Sequence, residues 1–217
     1  ANTDLDNNQI ASFYSGAMGR ARDFRLADVS ATLPDLLIIS PNDPLAMINL
    51  AEECRQRGIR FIADPSQQVP RLNGEELRQM IDGAYILVAN AYEAEMISSK
   101  TGLSLDELRK RIEIVVVTHG KQGSQIFTNG EVIDVPVFTP IEIKDPTGVG
   151  DAYRSGLLTG LAHGWPLKLA GEVGALCATY VLEQVGTQSH HFTMSEFVAR
   201  FRTQFDDAGM LDVLLEN

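Results

Sequence analysis

The sequence predicts an α/β protein, a doubly wound three-layer sandwich with a mostly parallel central sheet. Three observations lead to this fold class. Short apolar runs recur along the chain, amphipathic segments separate them, and 44% of the 217 residues are hydrophobic. Apolar runs without alternation are typical of parallel strands buried on both faces, with helices as right-handed crossovers. The length suits one globular domain with a full core.

Four apolar runs are predicted to be strands of this sheet, because each is continuous, aliphatic and bounded by turn residues or helical segments. They are residues 35–40, 60–64, 85–89 and 114–118. Ligands of such sheets bind beyond the carboxyl ends of the strands. We therefore expect four polar residues at predicted strand ends to line one rim: Asp64, Asn90, Thr118 and Asp145.

Helices are predicted between the strands and through the last third of the chain. The first begins at Asp43-Pro44 and ends at Gly58, since proline fits a first helical turn and glycine commonly follows the last. A second helix is expected from about Asn73 to Asp82. The last three predicted helices cover residues 151–163, 166–183 and 193–205.

A hairpin is predicted where this rhythm changes, after Gly123. Its strands are residues 124–128 and 131–135, and Asn129-Gly130 favours a type I′ turn between them. A β-rich run from Val135 to Ile143 is then expected to lead into a turn that contains two glycines.

Composition restricts the classes of partner. Eighteen basic against 29 acidic residues give a net charge of −11, which argues against nucleic acid or an anionic membrane as a partner.

Cys54 and Cys177 are the two cysteines, and neither has the spacing of a disulfide framework or a zinc site, so a reduced, cytoplasmic setting is expected. Because no run of about 18 apolar residues occurs, no membrane span is expected. The polar, acidic opening is unlike a signal peptide.

Residues 144–156 carry the most informative pattern, a glycine turn that opens into a small-residue helix. Gly148 and Gly150 leave the backbone free of Cβ atoms, so N–H groups can converge on an oxyanion at the positive end of the helix. Asp151 follows directly and can accept the proton of an attacking hydroxyl. The pattern therefore favours phosphoryl transfer.

The two glycines also allow other interpretations. Gly-x-Gly before a helix also occurs as plain turn chemistry, and Asp near a helix start is a common cap. A dinucleotide fingerprint would need glycine at Tyr153. A P-loop at Gly120-Lys121 would need glycine at Val115 and Ser or Thr at Gln122.

The run Asp145-Pro146-Thr147-Gly148-Val149-Gly150-Asp151 resembles the second signature of the ribokinase/PfkB carbohydrate-kinase family, an Asp-x-Thr-Gly-x-Gly-Asp pattern. The resemblance implies a ribokinase-like fold, with ATP as phosphoryl donor and Asp151 as general base. The amides of Gly148, Val149 and Gly150 would form the anion hole. Asp145 and Thr147 would ligate a monovalent cation such as K⁺.

Three further segments resemble parts of the same family. Asn90-Ala91-Tyr92-Glu93 matches an Asn-x-x-Glu motif that organises Mg²⁺ through water, although the same spacing is a capping box and both interpretations can hold at once. Thr118, Gly120 and Gly123 match a passage that contacts the nucleotide phosphates and ribose, and an ordinary tight turn is the alternative. Gly186 lies in the segment that closes over the adenine.

The opening of the chain resembles the end of the family's lid region. We therefore expect residues 1–18 to be the end of a lid and residues 19–217 to be a ribokinase-like nucleotide-binding core. Complete members have roughly a further third of chain before this point, which holds most acceptor contacts. On that basis, the chain alone is expected to be inactive.

The resulting prediction is an ATP-dependent kinase that phosphorylates a hydroxyl of a nucleoside, adenosine-like, or of a sugar. The alternatives are a truncated nucleotide-binding or regulatory module without catalysis, and a ribokinase- or fructokinase-type sugar kinase. A hydride-transferring enzyme is disfavoured by Tyr153. The expected partners are a small-molecule substrate and, for the complete protein, a second copy in a homodimer.

Overall fold

The computed structural model describes residues 14–29 and 32–216, together with the backbone of residues 2–3 and 9–10. The chain forms two compact units, residues 1–88 with 92–112, and residues 89–91 with 113–217. The boundary expected after residue 18 stays a prediction, and residues 4–8 and 11–13 within it lie outside the described residues.

The strands belong to two sheets. A two-stranded antiparallel sheet pairs β1 (Asn2–Thr3) with β2 (Gln9–Ile10). The larger sheet has six strands in chain order. They are β3 (Leu36–Ile39), β4 (Arg60–Ala63), β5 (Ile86–Asn90), β6 (Ile114–Thr118), β7 (Ser124–Thr128) and β8 (Glu131–Val135).

Eight α-helices lie in the described part of the chain. They are α1 (Leu26–Val29), α2 (Pro44–Arg57), α3 (Gly74–Ile81), α4 (Ala91–Thr101), α5 (Leu105–Arg111), α6 (Val149–Ala162), α7 (Leu167–Leu182) and α8 (Met194–Phe201). The helices predicted from Asp43-Pro44 and from Asn73 are confirmed to within a residue or two as α2 and α3. The helix predicted over residues 193–205 is too long, since α8 ends at Phe201.

In the first unit, β3 to β5 are parallel. Leu36 pairs with Arg60, and Ile62 pairs with Ile86. The central strands are buried on both faces, because β4 and β5 present almost only apolar side chains of which nearly all are covered. Helix α2 contributes Met47, Ala51 and Cys54 to this core, all fully buried.

Local sequence signals explain where the helices of this unit begin and end. The Asp43 side chain accepts a hydrogen bond from the Ala46 N–H, and Gly58 ends α2 in the left-handed conformation. Asn73 and Glu76 form a capping box at α3. Ser104 and Glu107 form another at α5, a helix that the sequence analysis missed although its Ser-x-x-Glu signal was present.

In the second unit, β6, β7 and β8 form an antiparallel meander. Val116 pairs with Ile126, and Ile126 pairs with Ile133. The hairpin prediction is confirmed, since Asn129 and Gly130 have φ values of 46° and 79°, the positive angles that a type I′ turn requires.

Helices α6 and α7 pack against each other through small residues. A Cβ atom on Gly156 would lie 2.6 Å from the Gly174 Cα, and a Cβ on Gly160 would lie 2.4 Å from the Ala170 Cβ. The two helices can approach this closely only because these positions lack side chains. Their packing fixes the position of the glycine turn that begins α6.

The strand expected from Val135 to Ile143 is wrong. Strand β8 ends at Val135, and residues 136–148 have no regular structure beyond turns. Pro136 and Pro140 lack the N–H groups that a ladder needs. Asp145 is therefore not at a strand end, and its placement on the common rim is not supported in this way. For Asp64, Asn90 and Thr118, the common rim stays a prediction.

No helix among the described residues has both the length and the apolar character that crossing a bilayer would need.

Candidate active site

Helix α6 begins directly after a turn that contains Gly148. Gly148 is the residue before the first helical turn and has a φ of 83°, so the helix begins at Val149, two residues earlier than predicted. The Val149 N–H donates to the Pro146 carbonyl at 3.3 Å, and the Ala152 N–H donates to the Gly148 carbonyl at 3.0 Å. Gly150 and Asp151 occupy the second and third helical positions, where an α-helix offers no internal acceptor for N–H groups.

The loop before this turn is held by Asp145. One carboxylate oxygen accepts from the Thr147 N–H at 2.9 Å, and the other accepts from the Gly186 N–H at 3.0 Å. Hydrogen bonds from the side chain and backbone of Thr147, and then from Gly186, lower the pKa of Asp145. The carboxylate therefore joins the turn to the segment after α7, two regions that the sequence analysis assigned to one site.

Gly148 has two reasons to be glycine. Its φ of 83° lies in the left-handed region, and a Cβ atom there would lie 2.9 Å from the Thr187 Cγ2. Gly150 differs, because it has helical φ and its added Cβ would instead lie 3.3 Å from the Arg154 Nη1. Backbone strain upon substitution is thus expected at Gly148 and not at Gly150.

Asp151 lies in the first turn of α6 with its carboxylate in solvent. Its side chain is 77% exposed, whereas that of Arg154, one turn later, is 14% exposed. The Arg154 guanidinium donates to the Asp151 Oδ1. An exposed carboxylate at a helix N-terminus, oriented by a guanidinium, can accept a proton from a hydroxyl that approaches it.

A cavity of about 450 Å³ opens beside this turn, within the second unit. Its walls are mostly apolar and come from the irregular segment after β8, from α6 and from α7. Lining residues include Pro140, Ile143, Val149, Gly150, Ala178 and Leu182. Its size and mostly apolar lining are typical of small-molecule binding sites.

The turn after β6 lines the same cavity with Thr118, Gly120 and Gly123. Gly120 has a φ of 57° and open space around its Cα, while a Cβ on Gly123 would lie 2.2 Å from the Val135 carbonyl oxygen. The Gly123 carbonyl accepts from the His119 N–H at 2.7 Å. Gly123 is therefore required by the packing of the hairpin, and Gly120 leaves its backbone accessible from the cavity.

Tyr153 connects this turn to α6. Its hydroxyl lies 2.7 Å from the Ser124 Oγ, and its ring is buried in the cavity wall. Burial raises the pKa of Tyr153 to about 12, with the Ser124 hydrogen bond acting in the opposite direction. The phenol is therefore neutral near pH 7 and acts as a structural link.

Side chains that follow the ends of α7 and α8 hold the irregular wall of the cavity. The Glu183 Oε1 accepts from the Ile141 N–H at 2.7 Å, and the Thr139 N–H donates to the Gln204 Oε1 at 2.9 Å. Burial alone would raise the pKa of Glu183, but hydrogen bonds from Arg200 and Ile141 lower it overall. These contacts replace the strand pairing that the sequence analysis expected here.

The remaining predicted site residues lie at the end of a strand or shortly after one. Asn90 is the exposed last residue of β5, and Glu93 lies half-buried in the first turn of α4. Asp64 follows β4 and is almost fully buried. No cluster of three or more His, Cys, Asp or Glu side chains suited to a metal ion occurs among the described residues.

Sequence reasoning missed two features of the site. The ion pair between Arg154 and Asp151 was signalled only by the spacing of three residues, about one helical turn. The cavity wall from Val137 to Ile143 had no local signal, because its residues are held by side chains more than forty positions later.

Comparison with known protein families shows to which family the chain belongs. A family model described as pfkB family carbohydrate kinase matches residues 6–193. The chain belongs to this family. The resemblance drawn from residues 145–151 is thereby confirmed.

Among curated pfkB-type relatives, the nucleoside kinase of Methanocaldococcus jannaschii is 30% identical over 91% of this chain and 64% of its own length. The nucleoside kinase of Methanothermobacter thermautotrophicus is 33% identical over 94% of this chain and 65% of its own length. The chain thus spans slightly less than two-thirds of the length of each of these relatives.

Solved structures give the same relationship. Burkholderia thailandensis nucleoside kinase in complex with inosine superposes with a TM-score of 0.87 at 36% identity, covering 94% of this chain and 67% of that one. Ribokinase from Thermotoga maritima has a TM-score of 0.70 at 18% identity over 99% of this chain and 68% of that one, a likeness of fold alone. The predicted fold class, a ribokinase-like α/β fold with a mostly parallel sheet, is confirmed.

Proposed function

We propose that the protein containing this chain is a nucleoside kinase, which transfers the γ-phosphoryl group of ATP to a hydroxyl of a nucleoside. The observation that carries the proposal is the N-terminus of α6, where the glycine turn and an exposed Asp151 adjoin an apolar cavity of about 450 Å³. Membership of the pfkB family supports phosphoryl transfer, and the nucleoside kinase relatives support a nucleoside as acceptor.

The donor nucleotide is proposed to bind with its base in this cavity. The apolar walls suit stacking and van der Waals contact with an adenine ring. Gly186, the residue proposed to lie near the adenine, donates its N–H to Asp145, the neighbour of the lining residue Pro146. Thr118, Gly120 and Gly123 would contact the ribose and phosphates. Because the chain carries a net charge of −11, the phosphates need local donors and cannot rely on the overall field.

Phosphoryl transfer would then proceed at the start of α6. The acceptor oxygen attacks the γ-phosphorus, the bond to the β–γ bridging oxygen breaks, and ADP leaves with that electron pair. The acceptor proton passes to the Asp151 carboxylate. Gly148, Val149 and Gly150 are the proposed anion hole, in which the Val149 N–H is the weakest member because it already donates to Pro146.

Two cations are proposed to assist. Mg²⁺ would neutralise phosphate charge, and Asn90 and Glu93, whose oxygens are of the type that it accepts, would hold it through water. Asp145 and Thr147 are the proposed ligands of K⁺. Asp145 accepts hydrogen bonds from two backbone N–H groups and from the Thr147 side chain, and about one of its four lone-pair sites remains for a cation.

The acceptor class is proposed from the relatives. The Burkholderia thailandensis enzyme was solved with inosine and with ADP-inosine, so purine nucleosides are the first compounds to test. We expect the full-length protein, with ATP and Mg²⁺, to phosphorylate inosine or adenosine with a kcat/KM at least tenfold above that for ribose or fructose, which is about 1.4 kcal/mol of discrimination.

The assay would couple ADP release to a spectrophotometric signal and verify the phosphorylated product by mass spectrometry. A preference for ribose or fructose would replace the proposal with a sugar kinase. ATP binding without transfer to any acceptor would favour a nucleotide-binding or regulatory module.

A further inference from the structure

The segment after β8 forms one wall of the cavity without the support of strand pairing. Strand β8 ends at Val135, and Pro140 carries no N–H group that could join a ladder. The segment nevertheless lines the cavity with Val137, Phe138, Pro140 and Ile143. The shape of this wall must therefore be set by side chains from other elements.

Glu183 and Arg200 form a largely buried ion pair beside this wall. The two terminal nitrogens of Arg200 donate to the two Glu183 carboxylate oxygens at 2.8 and 2.5 Å. The side chains of Arg200 and Glu183 are 18% and 11% exposed. The Glu183 Oε1 also accepts from the Ile141 N–H at 2.7 Å, and Ile141 lies in sequence between the lining residues Pro140 and Ile143. The ion pair therefore holds the backbone of the wall at this point.

Arg200 contacts the wall at a second point. Its guanidinium carbon lies 5.3 Å from the centroid of the Phe138 ring and 4.5 Å from that of the Tyr180 ring. Both distances are within the range of a cation–π interaction. The Phe138 carbonyl is held as well, since it accepts from the Thr179 Oγ1 at 3.1 Å. The ring of a residue that lines the cavity thus packs against the same guanidinium that binds Glu183.

Stability alone does not explain why Glu183 is placed here. It directly follows the last turn of α7, the negative end of the helix dipole, where a negative charge is disfavoured. Burial also acts to raise the pKa of Glu183, although hydrogen bonds from Arg200 and Ile141 lower it overall. A buried ion pair contributes little net stability, because lost hydration offsets the attraction between the charges. The effect of the pair is therefore to be sought in the conformation that it imposes on the wall.

We propose that Glu183 and Arg200 are positioning residues for the donor nucleotide, which fix the wall formed by residues 137–143 so that the cavity fits the base of ATP. This inference rests on the function proposed above, which places the base in this cavity. Neither residue is among the described lining residues, so both act through Ile141 and Phe138. A wall that is already ordered avoids the entropic cost of ordering it upon binding. Loss of the pair should thus weaken ATP binding and leave the transfer step nearly unchanged.

The test compares four variants of the full-length protein. Arg200→Met removes the charge, and Arg200→Lys retains it without the planar, two-pronged geometry. Glu183→Met removes both the charge and the acceptor, whereas Glu183→Gln retains an oxygen that can accept from the Ile141 N–H. We expect the two Met variants to raise the KM for ATP by about tenfold or more, which corresponds to about 1.4 kcal/mol, and the two conservative variants to raise it less. Both kcat at saturating ATP and the KM for the acceptor should change less than about threefold.

The control is Arg202→Met. Arg202 lies two residues after Arg200 but pairs with Asp207 and Asp212, so its loss should destabilise the fold without affecting the wall. It should leave the KM for ATP unchanged. Chemical unfolding of every variant without nucleotide separates a loss of stability from a loss of ATP affinity. If the two Met variants do not fold, a rise of about threefold or more in the KM for ATP of Arg200→Lys and Glu183→Gln supports the inference, and no rise overturns it.

Several outcomes separate this inference from the proposed function. If the Arg200 and Glu183 variants turn over ATP like the wild type while Asp151→Asn does not, the pair has no positioning role and the kinase assignment stands. A fall in kcat at an unchanged KM for ATP would also contradict the inference. If Arg202→Met raises the KM for ATP as much as Arg200→Met does, the effect reflects general stability and the inference fails.

If the wild type transfers no phosphoryl group, the proposed function fails, and calorimetric titration with ATP decides the matter. ATP binding about tenfold weaker in Arg200→Met than in Arg202→Met would retain the pair as positioning residues of a nucleotide-binding protein. Equal binding by the two variants, or no binding by the wild type, would overturn the inference.

Discussion

Asp151 differs from the other ion-paired carboxylates of the chain in what surrounds it. Its partner Arg154 is largely buried, the carboxylate itself is exposed, and the apolar cavity begins one residue earlier at Gly150. Asp106, by contrast, has the same 77% exposure and an arginine three residues later, but lies on the short helix α5 and is preceded by no residue that lines this cavity. The two aspartates thus share the same kind of ion pair, and of the two only Asp151 directly follows a residue that lines the cavity.

Asp151→Asn should therefore reduce turnover by on the order of 10²–10⁴, the usual effect of losing a general base. ATP affinity should stay within a few-fold, because the amide is isosteric and the anion hole is backbone. Steady-state kinetics and calorimetric titration of the full-length protein measure both quantities. Asp106→Asn is the matched control and should leave kcat unchanged. Near-normal turnover of Asp151→Asn would reduce the residue to a helix cap.

The residues of this site were predictable to different degrees. Gly148 and Asp151 could be predicted because a two-glycine turn before a helix has a local sequence signature. The burial of Arg154 could not be predicted, since an arginine on a helix is usually a solvated side chain. Burial depends on tertiary packing, which the local pattern does not encode.

At the scale of single elements, the turn that begins α6 is held from three sides. Asp145 accepts from Thr147 and Gly186, Thr187 packs against Gly148, and the Val149 N–H donates to Pro146. Such a turn fixes the direction of the helix N-terminus, and a rigid N-terminus holds its N–H groups ready for an anion.

Gly148→Ala should destabilise this turn by more than the left-handed conformation alone explains. Alanine in that conformation costs about 1–2 kcal/mol, and overpacking against the Thr187 Cγ2, 2.9 Å from the added Cβ, should add about 1–3 kcal/mol. Gly58→Ala is the control, because Gly58 has a φ of 69° and nothing within 4 Å of its added Cβ. Urea unfolding of both variants gives the difference. Equal losses would mean that the Thr187 contact relaxes without cost.

Elements with local signals were predicted well, and elements held by distant contacts were not. The Asn129-Gly130 hairpin and the capped helix at Asn73 depend on neighbours in sequence. The segment after Val135 was mistaken for a strand because it is rich in apolar and β-branched residues. Its conformation depends instead on Glu183 and Gln204, which no local pattern connects to it.

For the whole molecule, the fold class followed from the succession of apolar runs and helices, since that order leaves few architectures for burying parallel strands. The division into two compact units had no such signal, because the chain passes between them three times, at residues 88–89, 91–92 and 112–113. The acceptor specificity also could not be predicted, as the chain spans less than two-thirds of the curated relatives' length.

Several carboxyl groups have a lowered pKa in the folded protein, so the stability of the protein depends on pH. Arg202 donates to both oxygens of Asp207, whose side chain is 4% exposed, and this pairing lowers the pKa of Asp207 to about 2. A carboxylate with a lowered folded pKa stabilises the protein above its ordinary pKa near 3.9, and this contribution is lost as the pH falls toward 2. The pKa of Asp145 and Asp43 is lowered as well, so the free energy of unfolding should fall below about pH 5.

Arg202→Met provides the test of this assignment. At pH 7 the variant leaves the Asp207 carboxylate buried without its guanidinium, so it should be clearly less stable than the wild type. Near pH 2, close to its pKa, Asp207 is about half protonated in the folded wild type, and the variant without the guanidinium is protonated to a greater extent, so the difference in unfolding free energy should shrink to roughly half. Arg20→Met is the control, because Arg20 and Asp23 are 79% and 48% exposed, and it should change stability little at either pH. Chemical unfolding at both pH values measures the four differences. A loss for Arg202→Met that is the same at pH 2 and pH 7 would show that Arg202 stabilises the fold through packing, independently of the charge on Asp207.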